Sequence, residues 1–394
     1  MTAAFTRASV HIAVATAMLA AAGASSAHDI KLPPTLTFTA YDTGTAGFNI
    51  TVAVGKMFKD KFGTDVRVLP AGNDVARMAP LRAGRAQMSA MGAGTFYAQE
   101  GVFEFASKDW GPQPTRLTLT SLDCNGSSLG VAADTGVKEV KDLKGKRVGF
   151  VVGSPALNQL ALAVLAFAGL GKNDVKVVEF ASYGAMWKGV VNNDVDAAFG
   201  TSITGPAREV EASPRKLVWA PMPASDKAGW DRVKAVAPYL SPHQTTCGAG
   251  GASPATPLSL GNYPYPANTV YASVDSDLVY AIVKAMIAGY DDYKNGAPGA
   301  LGLAADRQLK QWVVPYHAAA VKALTEGGQW TAADDAHNNK LVQRQEVLKA
   351  AWDAYLKTNP PGDDARFRNG WMAARRDALA KASLEVGVDE APTQ

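Results

Sequence analysis

The chain has 394 residues, with 39 Lys plus Arg against 36 Asp plus Glu, a formal charge of +3 and two cysteines. So even a balance, with no basic run, gives nucleic acid or an anionic membrane surface no electrostatic footing as a partner. Cys124 and Cys247 show neither CxxC nor metal-ligand spacing, and beyond the N-terminal segment no run of about 18 apolar residues is present to span a bilayer.

At the N-terminus Arg7 precedes the apolar stretch Val10 to Gly23, and Ser25-Ser26-Ala27 supplies the small residues of a cleavage site. Residues 1–27 therefore read as a signal peptide cut after Ala27, leaving His28 first and placing the protein in the periplasm. No cysteine lies near the cut, which argues against a lipid anchor. In an exported chain the two cysteines are expected to pair, the alternative being two separate buried thiols.

Thr35 to Ala40 alternates as a strand, and Tyr41 to Gly47 is a turn dense in glycine and hydroxyls. Ile50, Ala53, Val54, Met57, Phe58 and Phe62 then recur at helical spacing. The unit repeats with Val66 to Leu69 as strand, Pro70 to Asp74 as turn and cap, and Val75, Met78, Ala79 and Leu81 on a helix. Met88 to Met91 leads into a further glycine turn, Gly92 to Thr95. Lys146 to Val152 is a β-rich run, Gly153 breaks it, Ser154 is an N-cap and Pro155 suits the first helical position. Leu157, Leu160, Ala161, Val164, Leu165 and Ala168 follow at helical spacing, and Gly169 is the left-handed stop. Val175 to Phe180, a helix over Ala185 to Asn192, and Asp196 to Phe199 continue the alternation up to the turn Gly200 to Pro206.

Strands alternating with helices predict mainly parallel sheets, with ligands beyond the carboxyl ends of the strands, where all these turns lie. The two runs, 35–97 and 143–220, predict an α/β protein of two lobes facing across a cleft. Leu117 to Ala132 and Tyr263 to Val274 are the expected crossings between them, and two crossings make a hinge. The expected division is lobe 1 over 28–122, lobe 2 over 123–262, and 263–394 as the crossing strand plus C-terminal helices returning to lobe 1. Asp275 and Ser276 cap a helix striped by Val279, Ile282, Val283, Met286, Tyr290 and Tyr293. Leu341, Leu348, Trp352, Tyr355 and Leu356 mark another, while Ser241 to Pro257 reads as a surface loop.

Catalysis finds little support in this pattern. Gly-x-Ser-x-Gly does not occur, His317 and His337 lack ligand spacing to each other, and the glycine turns match neither a Walker loop nor GxGxxG. No metal or cofactor is expected. What remains is a cleft lined by donors: Thr43, Thr45, Asn49, Asn73, Ser154, Asn158, Thr201 and Ser202, with the backbone of Gly47, Gly72, Gly94 and Thr95. Helix starts near Gly47, Asn73 and Ser154 would aim N–H groups at an anionic group, which predicts a small carboxylate, amino acid or hydroxy acid as ligand. The opposing reading is that these residues only cap helices. Asp42 and Asp74 would oppose a carboxylate, and Asp74 is expected to cap a helix instead. Tyr183 and Trp187 are wall candidates, although aromatic residues on such a helix are more often core.

The chain resembles the TAXI-type solute-binding proteins of tripartite ATP-independent periplasmic (TRAP) transporters over nearly all of its mature length. The family's LKGKRV and following Gly-Ser turn are similar to Leu143 to Val148 with Gly153-Ser154. Its Asp-Ala-Phe segment and Gly-x-Pro turn are similar to Asp196 to Phe199 and Gly205-Pro206, and its PTGGSV to Pro70 to Val75. Its His with small residues, then Glu and Gly-x-Trp, resembles His317 to Ala320 and Glu326 to Trp330. The chain departs at Asn49-Ile50, where the family carries an aromatic pair, at Asp74, where it carries Ser, and around Gly94-Thr95, where it carries an acid. The resemblance implies a type II periplasmic binding protein that delivers a small organic solute to a membrane permease driven by an ion gradient. A monomer is expected. A sensor presenting its closed form to a receptor kinase would share these features, and a periplasmic enzyme on the same fold would need an acid-base or metal set in the cleft.

Overall fold

The computed structural model describes residues 30–388; the expected signal peptide, 1–27, lies outside them. The first lobe begins with β1 (Thr35–Ala40), α1 (Ala46–Phe62), β2 (Asp65–Pro70), α2 (Asp74–Arg82), β3 (Met88–Met91), α3 (Gly94–Glu100) and β4 (Thr115–Thr120). The chain then crosses into β5 (Ser127–Ala132), β6 (Arg147–Val151), α4 (Pro155–Phe167), β7 (Lys176–Phe180), α5 (Tyr183–Val191), β8 (Ala197–Thr201) and α6 (Gly205–Ala212). That lobe is completed by β9 (Leu217–Trp219), α7 (Lys227–Val236), β10 (Ser241–Thr245) and β11 (Leu258–Asn262). A second crossing leads to β12 (Ala267–Tyr271), α8 (Ser276–Ala288), α9 (Tyr290–Tyr293), α10 (Ala318–Glu326), α11 (Ala332–Leu356) and α12 (Asp364–Lys381).

Among the described residues the first sheet has the order β2-β1-β3-β12-β4, and the second β10-β11-β5-β8-β6-β7 with β9 on β5. This is a two-lobe α/β architecture with a helical C-terminal part. The sheets are mixed rather than mainly parallel. Pairs built by βα units (β1 with β2 and β3, β6 with β7 and β8) are parallel, whereas the strands flanking the crossings, β4, β5, β11 and β12, pair antiparallel. A strand that leaves a lobe through the hinge and one that returns through it run in opposite senses, and a pattern of βα units alone does not show this. Ser241 to Pro257, expected as loop, begins with β10, an edge strand paired antiparallel to β11.

The crossings are tied to one another: Ser121 N donates to Pro266 O and Tyr265 N to Ser121 O, both at 2.8 Å. Cys124 and Cys247 are joined by a disulfide with Cα atoms 5.6 Å apart, fastening the first crossing to the loop after β10. The C-terminal helices close onto lobe 1 around Glu100, which is wholly buried and ion-paired to Arg344 at 2.7 Å and to Arg375. Trp371 Nε1 donates to Gly101 O at 2.6 Å beside it. Burial alone would raise the Glu100 pKa, but the two guanidinium groups reverse this and hold it below the usual glutamate value.

Candidate functional site

The turns at the carboxyl ends of the strands meet at the junction of the lobes, and lobe 1 supplies caps to the helices of lobe 2. Asp74 Oδ2 accepts from Ala156 N in the first turn of α4 at 2.8 Å, and Asp42 Oδ2 from Gly184 N in the first turn of α5 at 2.7 Å. Gly44 O accepts from Gly205 N at the start of α6 at 3.2 Å. In the same sense Gly72 O accepts from Tyr183 N at 3.0 Å, and in the opposite sense Gly153 O accepts from Val75 N at 3.1 Å. Each bond satisfies a backbone group that a helix end or turn leaves unpaired, and a carboxylate at a helix N-terminus also meets the positive end of the dipole.

Beneath this seam lies a cavity of about 20 Å³ walled by Tyr41, Arg77, Tyr183, Phe199, Tyr263 and Tyr265, with Thr201 and Thr204 at its edge. That volume suits about one water molecule. Tyr41 from lobe 1 and Tyr183 from lobe 2 stack with ring centroids 5.4 Å apart and planes inclined by 17°. Arg77, wholly buried, lies with its guanidinium carbon 3.3 Å from the Tyr41 ring centroid. Its Nη2 pairs with Asp74 Oδ1 at 2.5 Å and its Nη1 donates to Ala90 O at 2.6 Å. Its Nε has no hydrogen-bond partner among the described residues. Burial opposes the charge on Arg77, but neighbouring Tyr41 and Asp74 hold its pKa above the ordinary value. Burial drives the hydroxyls of Tyr41, Tyr183 and Tyr263 upward, so these walls are neutral at physiological pH.

Of the residues singled out from the sequence, Thr201 lines this cavity, its hydroxyl accepting from Asn125 Nδ2 at 3.0 Å. Gly47 packs against Tyr265, a Cβ there falling 3.0 Å from the tyrosine hydroxyl. Gly94 must stay bare for Asp74, since a Cβ would lie 2.8 Å from the Asp74 carboxyl carbon. Ser154 stands at the N-cap position of α4 without capping it; Tyr41 donates to Asp74 Oδ1 at 2.7 Å and meets Ser154 Oγ at 3.1 Å. Thr45 and Asn73 cap α1 and α2, Asn73 accepting from Ala76 N at 2.8 Å, and Gly72 is an interlobe contact.

The rest stand apart from the cavity. Asn158 spends both ends of its amide on the Val151 backbone, at 2.9 and 3.0 Å. Ser202 donates to Cys247 O at 2.8 Å and so braces the disulfide loop. Thr95 is buried outside the cavity wall, and Thr43 is exposed. Asn49 lines a separate, open hollow of about 450 Å³ on lobe 1 between α1 and α9. Trp187 is core, its Nε1 donating to Phe199 O at 3.2 Å. Tyr41, Arg77, Tyr263 and Tyr265 were not singled out. The i,i+3 pair Asp74 and Arg77 was a signal that could have found two members of the site. Among the described residues no group of three or more His, Cys, Asp or Glu is placed to hold a metal ion, and no helix is long and apolar enough to cross a membrane.

The model of the NMT1-like family matches residues 38–328, well over half of the chain. The chain belongs to the NMT1-like family. No curated protein matches it. Among solved structures, the alkanesulfonate-binding protein SsuA of Xanthomonas axonopodis pv. citri, bound to MOPS, is 16% identical with a TM-score of 0.41, over 79% of this chain and 95% of that one. The aliphatic sulphonate-binding SsuA of Escherichia coli is 13% identical with a TM-score of 0.38, over 92% and 94%. An arginine-bound ArgBP of T. maritima is 15% identical with a TM-score of 0.37, over 64% and 94%. In this NMT1-like chain, therefore, the part covered by the family model contains strands β2 to β12, both crossings and every residue that walls the interlobe cavity.

Proposed function

We propose that this NMT1-like protein is a periplasmic solute-binding receptor that captures a small organic acid between its lobes and hands it to a membrane permease. The observation that carries this reading is Arg77: a buried guanidinium at the wall of an aromatic interlobe cavity, with its Nε–H unpaired among the described residues. A buried unpaired donor costs free energy, and a carboxylate oxygen arriving there would recover it through a charge-assisted bond. The tyrosine walls would take the solute's apolar body. A cavity of about 20 Å³ has no room for such a solute unless the lobes part, so opening and closing at the hinge belongs to the cycle.

The permease type follows from the residue resemblance: Leu143 to Val148 with Gly153-Ser154, and Gly205-Pro206, support a TRAP system driven by an ion gradient. The same reading has the protein working as a monomer, without metal or cofactor, after removal of residues 1–27. A thermal-shift panel of small carboxylates, amino acids, hydroxy acids, neutral sugars and inorganic cations tests it. Stabilisation by organic acids is expected; stabilisation by sugars or cations with none by any acid would overturn it.

A further inference from the structure

Lobe 2 turns the N-termini of α4, α5 and α6 toward lobe 1, and at α4 and α6 the residue in the N-cap position, Ser154 or Thr204, makes no side-chain cap bond. The acceptors come from the other lobe. At α4 it is the carboxylate of Asp74, which is wholly buried, at α5 the carboxylate of the partly buried Asp42, which adds to the helix's own Ser182 cap, and at α6 the carbonyl of Gly44. Asp74 is the most constrained, because Arg77, Tyr41 and Ala156 N all converge on its two oxygens. Its bonds span both lobes, so moving the lobes apart breaks the bond to α4 while the pair with Arg77 stays inside lobe 1.

We propose that Asp74, assisted by Asp42, is a built-in latch that occupies the anion position of its helix and thereby determines both how firmly the lobes close and which solutes are admitted. An acid group entering the cleft finds the start of α4 and the Nη2 of Arg77 already paired with Asp74, and the guanidinium nitrogen that has no partner among the described residues is Nε. The site then accepts one acid group at one guanidinium nitrogen and turns away a solute that needs a second anion position. The selectivity part rests on reading the cleft as the solute site; the latch does not.

Small-angle scattering of dialysed protein without added solute tests the latch, with sodium formate as a carboxylate probe and sodium chloride at equal ionic strength as control. Asp74→Ala is expected to have a larger radius of gyration than wild type in chloride and to return to the wild-type value in formate, while wild type is the same in both salts. An Asp74→Ala protein that scatters like wild type in chloride, or that stays enlarged in formate, would overturn the proposal. Should circular dichroism show that Asp74→Ala does not fold, Asp42→Ala, which removes the acceptor for Gly184 N, decides: a larger radius supports the latch and an unchanged one refutes it. Failure here leaves the organic-acid panel untouched, and failure of that panel leaves the latch standing.

Discussion

In the proposed site Arg77 offers the solute one guanidinium nitrogen that is without a partner. Its Nη atoms are committed to Asp74 and Ala90 O, which holds the guanidinium plane in place, and its Nε has no hydrogen-bond partner among the described residues. Arg77→Lys keeps a charge beside Asp74 but has no fork and no second face to offer. Calorimetric titration with the best acid of the panel should show affinity down at least about tenfold, roughly 1.4 kcal/mol, with the fold retained. Unchanged affinity would remove Arg77 from the site. Glu100 shows the same buried chemistry used for structure. Its folded pKa lies below the unfolded value of about 4.3, so the stability it contributes is complete above that value and is lost as pH falls through the depressed folded value. Melting temperatures of wild type and Glu100→Gln should therefore differ most at neutral pH and converge below about pH 4. At neutral pH the deficit should be about 3 to 5 kcal/mol, since two guanidinium groups lose their buried partner. A gap that stays constant with pH would contradict this assignment.

At the level of elements, the strand, turn and helix units were legible because each carries its own punctuation. The Asn73 cap, Pro155 at the start of α4 and Gly169 at φ 73° all stand where the residue types put them. Asn73→Ala should accordingly cost about 1 kcal/mol in chemical denaturation, the ordinary worth of an N-cap. The edge strand β10 was not legible, since Ser241–Thr245 is polar, mostly exposed and contains a proline, and it is a strand only because β11 lies beside it. The acceptors that lobe 1 supplies to α4 and α5 were hidden for another reason. Asp74 and Ala156 are 82 residues apart and Asp42 and Gly184 142, and no local pattern encodes such a pairing. Ser154 looked like the cap of α4 by position and chemistry, yet its hydroxyl serves Tyr41. The tyrosine walls were equally silent, because a buried aromatic in a core and one beside a cavity read alike in sequence. The disulfide closes a separation of 123 residues, and in the chain-entropy model it should stabilise the fold by roughly 3 to 5 kcal/mol. Denaturation with and without reductant should show that difference, and two free thiols in the unreduced, denatured protein would refute the bond.

For the whole molecule the arrangement is two sheets hinged by two crossings that are hydrogen-bonded to each other through Ser121, Tyr265 and Pro266. Lobe 1 is weighted by helices that return from the C-terminus and clamp on Glu100. The seam joins helix starts to acceptors on the facing lobe, and the small aromatic chamber below it is the place proposed for the solute. The most direct measurement is mass spectrometry of small molecules released when the purified protein is denatured. The account predicts one small organic acid in near-stoichiometric amount, and the same compound should raise the melting temperature when added back. Release of a neutral sugar or a metal ion in that amount, with no organic acid, would contradict it.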